Sequence, residues 1–214
     1  MSAEPAAAAA AAEADRFAAA AHGDQIRNYT GRPYIEHPRA VAELVAGAGL
    51  GEEAVAAALL HDTVEDTATT LPELRERFGE PVGDLVGVLT EDPSIEPYEA
   101  RKDAHREQVL RYGPPATAIY AADKLCNVRD LRRGYAAEGE SVARRFKAPL
   151  GLRIALWERD LEGLRGLDPR PPFLGDLERE LGALAEERAR QRTPGVDPHP
   201  RGEVRPQGPR PRPG

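Results

Sequence analysis

Helical periodicity runs through nearly the whole chain, and strand-like alternation is almost absent. That pattern restricts the fold to the all-α class. The spacing of apolar residues predicts helices at roughly 6–22, 38–48, 52–64, 71–78, 82–90, 97–112, 115–132, 139–165 and 173–191. Thr70 and Glu73 have capping-box spacing, so a helix should begin at Leu71, with Pro72 in its first turn, where a missing N–H costs little. Pro114 and Pro115 break the chain and open "ATAIYAADKLCNVRDL", and "RGLDPRPP" at 165–172 is a second break. The N-terminal "EPAAAAAAAEADRFAAAAH" reads as helix, because alanine is the strongest helix former. It is not expected to be a secretion signal, since it lacks a basic n-region and carries Glu4, Glu13 and Asp15.

With 214 residues the chain can build one ordinary domain. Its core must come from Ala, Leu and Val, since only 5% of residues are aromatic. The domain is expected over 1–191. From Arg192 onward, "RTPGVDPHPRGEVRPQGPRPRPG" is so rich in Pro and Gly that it cannot offset its ordering entropy, and 192–214 is expected to be a disordered basic tail. The formal net charge of −7 argues against a nucleic-acid or membrane-surface binder, so an anionic substrate needs a local basic patch. Cys126 is the only cysteine, and no strongly apolar run is long enough to span a membrane. A cytoplasmic protein is the expectation.

Against that background "LLHDTVEDTATT" at 59–70 is anomalous, because four ionisable side chains interrupt an apolar segment. On a helix, His61 stacks on Glu65 and Asp62 on Asp66, each pair at i, i+4. His61 and Asp62 lie about 100° apart, close enough for one ion to reach both. Taken alone, such a segment reads as a solvated helix end. Two further places in the chain favour a metal site. His37 in "PYIEHP" precedes Pro38 at the entrance of a helix. Asp123 shares a face with Asn127 on a helix whose Ile119, Ala122, Leu125 and Val128 mark it as core, and a carboxylate there needs a cation or several donors. A salt bridge from Asp123 to Lys124 or Arg129 is the competing reading, disfavoured because those side chains project from other faces. Two His and two Asp make a mixed N/O set, suited to Mn²⁺, Fe²⁺, Co²⁺, Ni²⁺ or Zn²⁺ rather than Ca²⁺.

The order His37, His61-Asp62, Asp123 resembles the HD-domain metal-dependent phosphohydrolases. "PYIEHP", "ALLHDTVEDT", "LRERFGEPVGDLV" and "ADKLCNVRDL" resemble more narrowly the hydrolase domain of the RelA/SpoT family, the small alarmone hydrolases especially, over about residues 16–165. The resemblance implies an HD-type helical bundle, a Mn²⁺ cofactor, and removal of the 3′-pyrophosphate from guanosine tetra- or pentaphosphate. By that resemblance His37, His61, Asp62 and Asp123 are the metal ligands, and Glu65 and Asp66 position or activate the attacking water. It also implies that Asn127 contacts the nucleotide and that Arg27 lies near the purine.

The chain departs from the family at three positions. Asn28 and Tyr120 stand where basic residues are usual, and Cys126 where a histidine is frequent. Arg101, Lys102 and Arg106 are candidate replacements for phosphate contact, or else an ordinary charged helix face. Other readings are a phosphohydrolase for a different nucleotide, such as NADPH at its 2′-phosphate, and a non-catalytic nucleotide sensor.

Overall fold

A computed structural model describes residues 4–192; the expected tail lies, apart from Arg192, outside the described residues. The fold is all-α. Ten α-helices are described: α1 Glu4–His22, α2 Glu36–Gly47, α3 Glu52–Leu60, α4 Thr63–Asp66, α5 Leu71–Phe78, α6 Glu80–Leu89, α7 Tyr98–Tyr112, α8 Ala116–Glu138, α9 Leu150–Arg165 and α10 Leu174–Arg192. A 3₁₀ segment, Gly139–Arg145, follows α8. None of the described helices is long and apolar enough to cross a membrane.

Helix α8 is the axis of the bundle. Its Ile119, Leu125, Val128 and Leu131 are fully buried, and α2, α7, α9 and α10 pack around it. A second layer joins α1, α2 and α6 to α3. Small residues allow the close approach there: Ala14 and Ala18 of α1 are buried, as are Ala57 and Ala58 of α3. Each fully buried leucine in such a core contributes roughly 1.5–3 kcal/mol. Leu60, fully buried at the end of α3, therefore anchors the residue that follows it, His61. Thr70 caps α5 as the sequence implies, accepting from the Glu73 N–H at 3.4 Å, with Pro72 in the first turn.

Three expected helices differ. The block at 52–64 is two helices, because α3 ends at Leu60 and α4 starts at Thr63. Side chains take over the last carbonyls of α3: His61 Nδ1 bonds Ala58 O at 2.8 Å, and Thr63 Oγ1 donates to Leu60 O at 2.7 Å. Helix α8 runs past 132 to Glu138 and stops at Gly139, whose φ of 61° suits glycine. The block expected as one helix at 139–165 is a 3₁₀ turn, a short connection and α9. Pro149 disfavours helix in the residue before it and stands as the N-cap of α9. Gly134 lets the loop after α1 lie on α8, since a Cβ there would meet Tyr29 O at 2.5 Å.

Candidate functional site

Helices α2, α3 and α8 bring His37, His61, Asp62 and Asp123 together at the floor of a cleft of about 890 Å³. His37 Nε2 lies 3.1 Å from Asp123 Oδ1 and 3.6 Å from Asp62 Oδ2. His61 Nε2 lies 3.2 Å from Asp62 Oδ1 and 3.8 Å from Asp123 Oδ1. The ligating atoms of His37, His61 and Asp123 all fall within 4.8 Å of one another, and Asp62 flanks them. Because His61 Nδ1 is used on Ala58 O, its Nε2 is turned to the cluster, where it has no hydrogen-bond partner among the described residues. Two imidazole nitrogens and two carboxylates converging in a buried spot are the donor set of a divalent cation.

The charges here follow from that crowding. Burial opposes a proton on His61, but Asp62 and Asp123 outweigh it and take the imidazole to about 9. His37 is held below the ordinary histidine value by burial and by the Arg27 guanidinium. Asp123 lies well below the carboxylate range, because Lys124, His37 and His61 overcome the cost of its burial.

Lys124 is a correction to the sequence reading. Its Nζ pairs with Asp123 Oδ2 at 2.8 Å, although the residue points from an adjacent face of α8. The long stem curls back because a buried ammonium must find a carboxylate. Arg129 instead reaches Glu180, at 3.3 Å.

The acidic pair stands on α4 beside the cluster. Glu65 Oε1 accepts from the Glu91 backbone N–H at 2.7 Å. Both carboxylates open onto the cleft, yet protein surrounds them in its concave wall. Burial there, reinforced by Glu91 and Asp62, pushes Glu65 up to about 7. Asp66 is raised in the same direction by burial and Asp62.

The candidate substrate contacts separate into two groups. Asn127 Nδ2 donates to Asp123 Oδ1 at 2.6 Å, and Arg27 donates to Asn127 Oδ1 at 2.7 Å and to Asp130 at 3.1 Å. Arg27 is buried, its guanidinium 4.7 Å from the centre of the Tyr29 ring. Arg101 and Lys102 line the cleft, where both pair with Glu91. Arg106 does not reach the cleft: Asp160 holds it at 2.8 Å and Asp103 at 2.6 Å. It had the helix face of a phosphate contact, but Asp103, one turn earlier on α7, and Asp160 of α9 claim it.

Several residues of the site escaped the sequence reading. Tyr34 lies three positions before His37 in the motif already quoted, and its hydroxyl donates to Asp62 Oδ2 at 2.7 Å. Glu91 and His105 carried no signal of their own. Nor did Arg145, Lys147 and Arg153, which reach the cleft only because the turn after α8 doubles back. Two of the departures from the family pattern are answered nearby. Arg145 donates to Asn28 O at 3.2 Å, so a guanidinium stands beside position 28. Lys124 Nζ sits 4.2 Å from the centre of the Tyr120 ring, so an ammonium stands beside position 120.

A helical bundle with a His/Asp cluster that can hold a divalent ion is the class this fold and site define. The chain belongs to the HD domain family, whose pattern matches residues 14–152. It is 46% identical over 124 residues to the guanosine-3′,5′-bis(diphosphate) 3′-pyrophosphohydrolase MESH1 of Homo sapiens, covering 56% of this chain and 69% of that protein. It is 38% identical over 146 residues to the guanosine-3′,5′-bis(diphosphate) 3′-pyrophosphohydrolase of Aquifex aeolicus, covering 66% of this chain and only 21% of that protein. Among solved structures, lmo0812 from Listeria monocytogenes superposes with a TM-score of 0.63 at 36% identity, over 70% of this chain and 99% of that one. A metazoan orthologue of SpoT, described as hydrolysing ppGpp, superposes with a TM-score of 0.65 at 29% identity, over 84% of this chain and 96% of that one.

Proposed function

We propose that the chain is a metal-dependent hydrolase that removes the 3′-pyrophosphate from guanosine tetra- or pentaphosphate, giving GDP or GTP and pyrophosphate. The observation that carries this reading is the convergence of His37, His61, Asp62 and Asp123 on one spot at the floor of a cleft whose outer walls carry Arg101, Lys102, Arg145, Lys147 and Arg153. An acidic protein has here concentrated cations around one opening, as a polyanionic substrate demands. The names of its relatives point to the same substrate.

His37, His61, Asp62 and Asp123 would hold the ion, and Mn²⁺ suits their nitrogen and oxygen donors. When bound, such an ion supplies Lewis-acid polarisation of a phosphoryl oxygen and acidifies water. The chain's own residues do the rest. Glu65, raised to about 7, is poised to take the proton of the attacking water at neutral pH, and Asp66 helps orient it. Water adds to the phosphorus on the ribose 3′-oxygen, the P–O3′ bond breaks, and the 3′-oxygen leaves with the proton that Glu65 took from the water. Arg27 and Asn127 would contact the nucleoside; Arg145 and Arg153 stand on that same side, at Asn28 O and the Tyr29 hydroxyl, and Arg101 and Lys102, beside Glu91, would face the phosphates. The proposed catalytic unit is residues 1–191, with 192–214 not required for the reaction. The single, buried Cys126 fits a reducing cytoplasm.

The test is a side-by-side assay of ppGpp and NADPH with the purified protein and Mn²⁺, with and without a chelator, products being separated by ion-exchange chromatography. GDP and pyrophosphate should form from ppGpp at a kcat/KM well above that for phosphate release from NADPH, and chelation should abolish both. A preference for NADPH would transfer the activity to the other nucleotide.

A further inference from the structure

Arg101 and Lys102 are neighbours in sequence, so on α7 their side chains leave the helix about 100° apart. Their charged ends nevertheless meet on one carboxylate. Glu91 Oε2 accepts from Arg101 Nε at 3.2 Å, and Glu91 Oε1 accepts from Lys102 Nζ. Both cations lie against the Tyr98 ring, 5.4 and 5.3 Å from its centre. Two like charges converge in this way only around an anion. Burial works against ionisation of Glu91, but Lys102 and Lys124 overcome it and hold the carboxyl below the ordinary glutamate value. The residue itself is anchored from three sides. Gln108 of α7 donates to Val88 O at 2.9 Å, Thr90 Oγ1 donates to Val86 O at 2.8 Å, and the Glu91 backbone N–H donates to Glu65 Oε1. The carboxylate therefore starts from a fixed place just past the end of α6. One residue touches both the proposed base and the two cleft cations, and all four line the same cleft.

We propose that Glu91 is a positioning residue for the reaction, its carboxylate holding Arg101 and Lys102 at a set distance from Glu65 at the expense of affinity for phosphate. The assignment rests on the proposed function and deepens it. A carboxylate among the cations repels any phosphate that enters, so it weakens binding of the ground state. What it gives in return is order. Arginine and lysine side chains are long, and without a common anion these two would swing apart. Held by Glu91, they already point into the cleft and need no reorganisation as charge builds on the phosphoryl oxygens. An interaction that weakens the ground state and favours the transition state raises kcat rather than lowering KM. Glu91 touches none of His37, His61, Asp62 or Asp123 through a hydrogen bond or ion pair among the described residues, so its substitution leaves the donor set intact.

Glu91→Gln and Glu91→Asp in the Mn²⁺-loaded protein test this by two readings on the same preparations. Binding of inorganic phosphate is measured by calorimetry, and kcat and KM are measured on whichever nucleotide the wild type hydrolyses. Glu91→Gln removes the charge but keeps the size and the backbone link to Glu65. It should bind phosphate about tenfold more tightly and show a lower KM, while kcat falls about tenfold. Glu91→Asp keeps the charge on a shorter stem, so it should return phosphate affinity to near the wild-type value and recover part of kcat. A residue that merely held the loop together would give weaker phosphate binding and a raised KM in Glu91→Gln, and that result, or unchanged phosphate affinity, overturns the proposal. Tighter phosphate binding at unchanged kcat also overturns it, since Glu91 would then be a counter-ion without a part in positioning. If the wild type leaves ppGpp intact but hydrolyses NADPH, the functional reading fails and the role of Glu91 is decided on NADPH; turnover of neither sinks both.

Discussion

The Tyr34 hydroxyl donates to Asp62 Oδ2 at 2.7 Å, tying the segment that leads into α2 to the break between α3 and α4. The ring of Tyr34 is itself held, with His22 stacked at 4.7 Å and the Arg27 guanidinium 5.5 Å from its centre. A cluster carboxylate is thereby oriented by a group that cannot ligate through the oxygen it shares. Hydrogen bonds of this outer kind typically sustain 10–100-fold in metal affinity. Tyr34→Phe should therefore bind Mn²⁺ roughly tenfold more weakly, with a melting temperature close to wild type, and excess metal should restore most of its kcat. Metal titration followed by a chelating dye checks it.

Metal uptake should release a proton. The metal-free His61 titrates at about 9, so at pH 7 it is protonated and must discharge before Nε2 can coordinate. Apparent affinity should rise by about tenfold per pH unit up to that value. The same shift has a consequence for folding. A histidine raised above its unfolded value of 6.5 adds stability that is fully present below that pH and is lost as pH rises through about 9. Calorimetry in buffers of different ionisation enthalpy, together with thermal melts of the metal-free protein at pH 6 and pH 9, measures both effects.

Glu65→Gln keeps size and hydrogen bonding but cannot take a proton. It should retain metal and lower kcat by roughly 10²–10⁴. The wild-type rate should climb with pH through about 7, as burial, Glu91 and Asp62 delay ionisation of the carboxylate, and this limb should vanish in the mutant. An acid raised in the fold resists ionisation, so the wild type should lose stability relative to Glu65→Gln as pH rises from 4.5 through 7. Metal analysis, pH–rate profiles and denaturant titrations separate the three effects. A metal-free Glu65→Gln protein would make the glutamate a ligand.

Arg27 holds Asn127 and Asp130 in place, besides the substrate contact proposed for it. Arg27→Ala strands Asp130 and Asn127, so it should cost roughly 1–3 kcal/mol of stability, besides raising KM for the nucleotide. Denaturant midpoints and steady-state kinetics on the same preparation decide it. A change in kcat alone, with stability and KM intact, would contradict the placement.

The parts of the site legible in the sequence are those set by local spacing. His61 and Asp62 are neighbours, Asp123 and Asn127 are one turn apart, and the apolar stripe of α8 marks the helix as core. The illegible parts depend on where loops return. Arg145 reaches Asn28 because Gly139 and Pro149 divide what periodicity reads as one helix. Arg106 shares its helix face with plausible phosphate contacts, and only the position of Asp160 on α9 shows that it is engaged elsewhere. The pairing of Lys124 with Asp123 escaped because helical-face geometry locates Cβ atoms and not the end of a four-carbon stem.

The most direct measurement of the central claim is hydrolysis of ppGpp by the Mn²⁺-loaded protein in water enriched in heavy oxygen, with both products examined by mass spectrometry. The account predicts GDP without label, pyrophosphate carrying one heavy oxygen, and neither product once the metal is chelated. Label in GDP, turnover that survives chelation, or no products at all would contradict it.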